Sequence, residues 1–371
     1  MEFDNSKKVL LKNTVMLYFM TATKYILPFI VTGCLTHRLS ADNYGIITYI
    51  MAVMNYFLIF FDFGFNFSAT KRISKNRENC LIVQQIISQV FTGKLLLCGV
   101  GIGLLVCIIP LVPILRENFL LTVLYFLATA ANILIPDYLY RGLEKMEYVT
   151  IRYVVSKMIS TILIFLIVTD YEKIILIPIF NLLGILVAAI LTIRNVKNKL
   201  GYTIDIVSCK EAFSSIRESF IYFISMIASS ILSAFNTIIM GFGNFSNDEI
   251  AYWGIAFQVV SAVQALYEPI TSSIYPHVVV KKDYKFVVKL TSLLSALVVI
   301  GCVILYFASG IIIQILSGQE YLPAVKILRM LLPVIIFSFP GQMFGFPLLG
   351  AMGKQKQVTI STVITAIFHI V

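Results

Sequence analysis

The feature that most constrains this chain is a succession of apolar runs of about 20 residues, separated by short polar breaks. A helix rising ~1.5 Å per residue needs about 20 such residues to cross ~30 Å of hydrocarbon. In that medium an open strand would leave its backbone polar groups without partners, so a run of this length reads as a helix. Ten complete spans are expected at 13–36, 44–68, 90–112, 118–140, 151–169, 174–193, 219–243, 250–276, 290–316 and 324–349, and an eleventh starts at 358 and meets Val371. Only 13% of residues are charged and 59% are hydrophobic, where soluble domains carry roughly a quarter charged residues. The expected fold class is an all-α integral membrane protein, and the first span is expected to stay uncleaved, because its apolar run outlasts a signal peptide's.

The distribution of Lys and Arg assigns the two sides. The N-terminal arm and alternate loops hold 21 of them, whereas the opposite loops hold Arg38, Arg116 and Lys173 against seven acids. Positive loops remain on the side of insertion, so the N terminus and the basic loops are expected in the cytoplasm of a multi-pass membrane protein. The formal net charge of +10 is on this reading a topology signal rather than a nucleic-acid surface.

Several chemistries are not expected. Six cysteines and three histidines form no metal-binding or redox spacing, and no phosphate-binding loop of the GxxxxGK[ST] kind occurs. No metal, cofactor or catalytic residue is therefore expected. The longest loop between spans is the basic stretch 194–218, too short to hold a catalytic domain.

Two pairs of stretches repeat. Tyr140–Ile151 reads YRGLEKMEYVTI and Leu349–Ile360 reads LGAMGKQKQVTI, with Lys145 over Lys354 at an offset of 209. Ser40-Ala-Asp-Asn-Tyr-Gly matches Ser246–Gly254 more loosely, each leading into a span with one acid, Asp62 or Glu268. Repeats of six helices, an even number, would be related by an axis along the membrane normal. The expected organisation is an N-terminal bundle at 1–200, a basic cytoplasmic linker at 201–218 and a C-terminal bundle at 219–371, with the second six-helix bundle truncated by about one and a half helices.

Leu39–Lys75, with its Tyr-Gly opening the second span and Asp-Phe-Gly near its end, and Gly318–Lys356, with GQEYLPAVKILRMLLP and the exit LLGAMGKQKQ, resemble the Wzx-type polysaccharide-unit flippases. Their superfamily also contains multidrug/toxin exporters and peptidoglycan-precursor flippases. The resemblance implies twelve helices in two bundles around a central cavity. It also implies movement of undecaprenyl-pyrophosphate-linked oligosaccharide to the periplasmic leaflet for O-antigen or capsule synthesis, alongside polysaccharide polymerase and chain-length proteins as partners.

Charges inside the spans are the candidate site, since each costs about 2.5–3.5 kcal/mol on insertion scales. Lys24, twelve residues from both Lys12 and Thr36, is too deep to snorkel and is expected either to face a wet cavity or to pair with Asp62 or Glu268. Lys94, Lys157, Lys326 and Arg329 join it as candidate cargo-binding bases, the last two three residues apart near the outer surface. Arg141 is expected to bridge Asp137 at i,i+4, with phosphate capture as its functional alternative. Asp62 and Glu268 are candidates for coupling to H⁺ or Na⁺, and Pro269 and Pro276 are expected to break the helix beside Glu268. Gly99, Gly101 and Gly103 are expected to mark a close helix approach.

Three rival functions follow from the same residues. A cation exporter should concentrate acids in its cavity, yet intramembrane bases outnumber acids five to three. A polysaccharide polymerase or ligase would need larger outer loops, and a scaffold would not need Lys24 at mid-span. The flippase is the leading expectation, with the lipid-linked oligosaccharide and membrane lipid as its partners.

Overall fold

The computed structural model describes residues 2–243, 245–268, 270–271, 274, 278 and 282–370. Helices appear in the order of the apolar runs: α1 Glu2–Thr36, α2 Ala41–Asp62, α3 Phe65–Lys75, α4 Cys80–Ile108, α5 Pro113–Glu117, α6 Phe119–Ala130, α7 Asp137–Gly142, α8 Met146–Ile167, α9 Leu176–Asn198, α10 Cys209–Phe242, α11 Asn247–Ala265, α12 Tyr284–Ser317, α13 Ala324–Met343 and α14 Gln355–Ile370. Among the described residues, eight helical stretches are long and apolar enough to cross a membrane, and Cys209–Ile231 with Phe235–Phe242, bent by 65°, makes a ninth. The chain is an all-α membrane protein. The expected span 250–276 begins as α11 and runs onto residues outside the described set, where Pro269, Pro276 and Lys281 also lie.

Residues 209–218, read as linker from their charges, instead form the first three turns of α10. Only 199–208 is non-helical, and this segment is pinned along α4: Asp205 N donates to Ser88 Oγ at 3.3 Å and Val207 N to Thr92 Oγ1 at 3.1 Å. The polar face of α4 thus supplies backbone partners to an extended chain.

The chain forms two compact units, one of 1–31 with 49–230 and one of 32–48 with 231–371. In the first, an apolar core fills the end that carries the basic loops, with Phe65, Ile73, Ile87, Leu139 and Val149 at its centre. Arg72 ties three helices there, donating to Gln89 Oε1 at 2.8 Å and Ser215 Oγ at 3.0 Å and lying 3.4 Å from Glu218. Arg77 clamps the α7–α8 turn, its Nε donating to Gly142 O and its Nη2 to Glu144, both at 2.7 Å.

The break between α2 and α3 sets the site described below. Phe63 and Gly64 both take positive φ, 45° and 78°, a region that costs a residue with a Cβ about 1–2 kcal/mol. A Cβ on Gly64 would also lie 2.6 Å from Tyr222 Cβ and 2.9 Å from Phe223 N, so its missing side chain lets α10 approach. Phe63 offsets its own strain by stacking on Phe223, centroids 4.2 Å apart at 12°. Of the three glycines expected to bring α4 close to a neighbour, Gly101 does so against the Phe61 ring, while Gly99 and Gly103 face open space. A run of small residues permits approach on several faces, and only the face turned to α2 is used.

In the second unit, α2 and α11 meet through the motif pair seen in the sequence. Ser246 caps α11 in a reciprocal capping box with Glu249, and Ser40 Oγ accepts from Asn43 N at 3.4 Å at the start of α2. A Cβ on Gly45 would overlap Asn247 O at 1.8 Å, and one on Gly254 would meet Thr48 Cγ2 at 2.5 Å. Burial, and then the nearby Asp42, Glu320 and Glu249, raise the Asp248 carboxyl above its ordinary value. The other motif pair shares its local geometry. Lys145 N donates to Tyr140 O at 2.8 Å and Lys354 N to Leu349 O at 2.9 Å, with Glu144 and Gly353 at φ 56° and 74°. Both are the 6→1 closure of a helix C-terminus through a left-handed residue.

Replacing Gly64 by Ala is expected to destabilise the protein by about 1–2 kcal/mol or more, from the αL penalty and the contact with α10. Gly103→Ala, with nothing within 4 Å, should leave the melting temperature in detergent unchanged or raise it slightly. Equal melting temperatures for Gly64→Ala and the parent would contradict the packing role of Gly64.

Candidate functional site

The first unit encloses a chamber of about 310 Å³ whose wall carries four bases, Lys24, Lys94, Arg141 and Arg152, and two acids, Asp62 and Asp137. They come from five helices. The α2–α3 break places Asp62, the last residue of α2, and Asn66, in the first turn of α3, on the same wall. Helix α1 contributes Met20 and Lys24, α4 Lys94, α7 Asp137 and Arg141, and α8 Val149, Arg152 and Tyr153.

The deepest charges are paired. Lys94, with a side chain 7% exposed, lies 3.7 Å from Asp62 Oδ1 and sits 5.6 Å above the Tyr138 ring. Asn66 Nδ2 donates to the same carboxylate at 2.6 Å, while Asp62 Oδ2 is buried without a hydrogen-bond partner. Such a pair attracts by ~4 kcal/mol at an effective dielectric of about 20, and desolvation of both ions takes back much of this. The pair therefore fixes geometry more than it stabilises.

Asp137 does not bridge Arg141 as its i,i+4 spacing suggests; it pairs with Nη2 of Arg152 on α8. The tight α7–α8 turn folds α8 back along α7, so a residue fifteen positions on in sequence becomes the nearer partner. Arg141 is left lining the chamber, with its Nε buried and without a hydrogen-bond partner, as is the Nε of Arg152. Arg152 lies only seven residues after the basic-loop residue Lys145 in sequence, yet α8 begins at Met146 and carries it nearly two turns inward.

Lys24 is exposed, lines the chamber and stands 5.9 Å over the Tyr153 ring. It is not sealed in dry packing. Lys157 is half-buried on α8, one turn beyond Tyr153, and is not among the chamber's lining residues. Glu268 is exposed in the second unit, its carbonyl accepting from Thr271 Oγ1 at 3.0 Å. Lys326 and Arg329 line a different, open groove of about 580 Å³ in that unit, where Arg329 stacks on Tyr306 at 4.5 Å. Asn66 and Arg152 are chamber residues absent from the sequence-based candidates. The i,i+4 spacing of Asn66 from Asp62 was the available signal for the first.

With four bases and two acids on its wall, the chamber carries two excess positive charges however the pairs are drawn. Guanidinium and ammonium groups around a small open space suit a phosphate, which takes bidentate bonds from Arg and a point charge from Lys. Among the described residues no cluster of His, Cys, Asp or Glu is arranged to hold a metal ion.

Comparison with known proteins identifies the family and the fold. The polysaccharide biosynthesis protein family matches residues 10–282. A candidate O-antigen transporter of Escherichia coli (strain K12) is 26% identical over 360 residues, 95% of this chain and 86% of that protein. A protein of the same description from Shigella dysenteriae is 26% identical over 369 residues, covering 97% and 91%. Among solved structures, the lipid II flippase MurJ in an inward closed conformation superposes with a TM-score of 0.70 at 15% identity, over 96% of this chain and 79% of that one. An outward-facing multidrug resistance transporter of the MATE family gives 0.61 at 13% identity, over 97% and 85%. At such identities the structural likeness is one of fold.

Asp62→Ala is expected to cost about 3–5 kcal/mol, because it strands Lys94 as a buried charge. The double change Asp62→Leu with Lys94→Met should recover most of that loss. Melting of the purified single and double variants in detergent checks it, and additive losses would contradict the pairing.

Proposed function

Because the chain belongs to the polysaccharide biosynthesis protein family, we propose that it is a flippase for lipid-linked oligosaccharide units of a surface polysaccharide, carrying them from the cytoplasmic to the periplasmic leaflet of the bacterial inner membrane. The observation that carries this reading is the chamber's excess of base over acid. The cargo has an undecaprenyl-pyrophosphate anchor, and its diphosphate is the part that the chamber takes. About 310 Å³ is room for roughly ten waters, at ~30 Å³ each. A diphosphate fits in that space and a glycan of several sugars does not. The sugars therefore extend out of the chamber and the prenyl chain stays in lipid.

Lys24 and Arg141 are the head-group ligands on this reading: Lys24 because it is exposed to the chamber, Arg141 because its buried Nε has no protein partner. Lys94 and Arg152 are engaged with Asp62 and Asp137 and supply field rather than direct capture. Lys157 continues the α8 face beyond Tyr153 and lies on the cargo's exit path. The N terminus and basic loops face the cytoplasm, two helical bundles related by a parallel repeat rock to change the open side, and no bond is made or broken. Asp62 is the coupling site for a proton or sodium ion, since one carboxylate oxygen is buried without a partner. Glu268, being exposed, is the weaker of the two coupling candidates.

A multidrug exporter shares the fold, and the MATE-family likeness favours it to that extent. An organic cation would meet four bases in this chamber, which argues for the anionic cargo.

In a strain whose surface polysaccharide depends on this protein, Lys24→Gln and Arg141→Gln are each expected to lower delivery of lipid-linked units to the periplasmic leaflet at least about ten-fold, the equivalent of ~1.4 kcal/mol of lost interaction. Expression and melting temperature should be unchanged. Full delivery by the double variant would remove the chamber from the cargo path, and unchanged delivery in a deletion strain lacking any other flippase would overturn the function.

A further inference from the structure

The second unit holds a basic and apolar feature that the chamber does not use. Between α12 and α13, near the end that carries the acidic loops, Lys326 and Arg329 line an open groove with Tyr306, Leu322 and Met330. A second groove of about 370 Å³, lined by Val299, Val303, Phe307, Leu332 and Ile336, continues from it and shares Tyr306 and Arg329. The two form one channel, cationic at one end and apolar along the rest.

The simplest account of a Lys and an Arg in the first turns of a membrane helix is snorkelling, with both heads extended to the interface. Arg329 does not extend. Its guanidinium lies over the Tyr306 ring at 4.5 Å, and its Nε donates to Tyr306 O at 3.2 Å and to Ser309 Oγ at 3.0 Å. These bonds hold the planar fork against α12, at the head of the apolar channel, and occupy one of its five N–H donors. Lys326, one turn earlier on the same face, is exposed beside it. Phe307 is 75% exposed and Met330 71%, so the channel is open outward along its length.

We propose that this α12–α13 channel binds an anionic phospholipid, with its phosphate on Lys326 and Arg329 and one acyl chain along Val299, Val303 and Phe307. Charge selects the head group, since two cations meet one phosphodiester and the fork accepts its oxygens side by side. The continuous apolar channel selects a phosphate that carries a chain. An inorganic phosphate would use the basic end alone and gain nothing from the remainder. The bound lipid would cross-brace α12 and α13 on the surface of the second unit, at a site separate from the cargo's chamber in the first.

The full-length protein in detergent, titrated with phosphatidylglycerol or phosphatidylcholine and read by native mass spectrometry, tests this. Retention of phosphatidylglycerol is expected to exceed that of phosphatidylcholine, and to fall at least about ten-fold in Lys326→Gln, whose exposed side chain leaves packing untouched. Val303→Trp, which fills the channel and keeps both charges, should lower it as well, while millimolar inorganic phosphate should not displace the lipid. Equal retention of the two lipids, unchanged retention in both groove variants, or displacement by inorganic phosphate would each overturn the proposal.

Discussion

A charge taken into hydrocarbon must bring a partner or water with it, and the first unit is arranged around that requirement. Lys94 and Asp62 satisfy each other across 3.7 Å, with the Tyr138 ring over the ammonium and Asn66 on the carboxylate. Asp137 and Arg152 do the same between α7 and α8. Neither pair is a large source of stability, because desolvation offsets most of the attraction. What they provide is position. Two acids are fixed in a wall that also holds four bases, and the residual charge of the chamber follows from that count.

Placing those acids requires helices that stop inside the protein. The second apolar run breaks after Asp62, with Phe63 and Gly64 in left-handed conformations. A bulky residue there costs on the order of 1–3 kcal/mol, and it is held by the Phe63–Phe223 stack and by α10 closing over Gly64. The turn between α7 and α8 works in the same way, with Glu144 at φ 56° and Arg77 clamped onto Gly142 O. Both irregularities feed the chamber: the first delivers Asp62 and Asn66, the second Asp137, Arg141 and Arg152.

The spans, and with them the fold class, were legible because membrane insertion is decided by local composition. The Wzx-type resemblance carried by Leu39–Lys75 and Gly318–Lys356 is borne out by the family match over 10–282 and by the O-antigen transporter relatives, one of which aligns with 95% of the chain. Lys24 and Lys94 were legible for the same reason: each is an expensive charge inside an apolar run. Partnerships were less so. The sequence offers Arg141 to Asp137 at one helical turn, and only the reversal of the chain after Gly142 shows Arg152 to be nearer. Charge density also misled at 209–218, where Lys210, Glu211, Arg217 and Glu218 read as loop yet lie on the first turns of α10. Gly99 and Gly103 look like Gly101 in sequence, and only packing distinguishes them.

A carrier that captures an anion must also release it, and the pairing of charges in the chamber bears on both steps. Four bases without acids would meet a diphosphate with attraction of several kcal/mol per contact at an effective dielectric near 20, and such a complex would dissociate slowly. The two acids reduce that hold and keep Lys94 and Arg152 engaged with protein rather than cargo. On the proposed function, the flexible stem of Lys24 at the exposed wall and the single fork of Arg141 are the groups that take up the cargo. Affinity on that reading is set by the chamber's two excess positive charges. The buried pairs hold the chamber's shape in the interval between one cargo and the next.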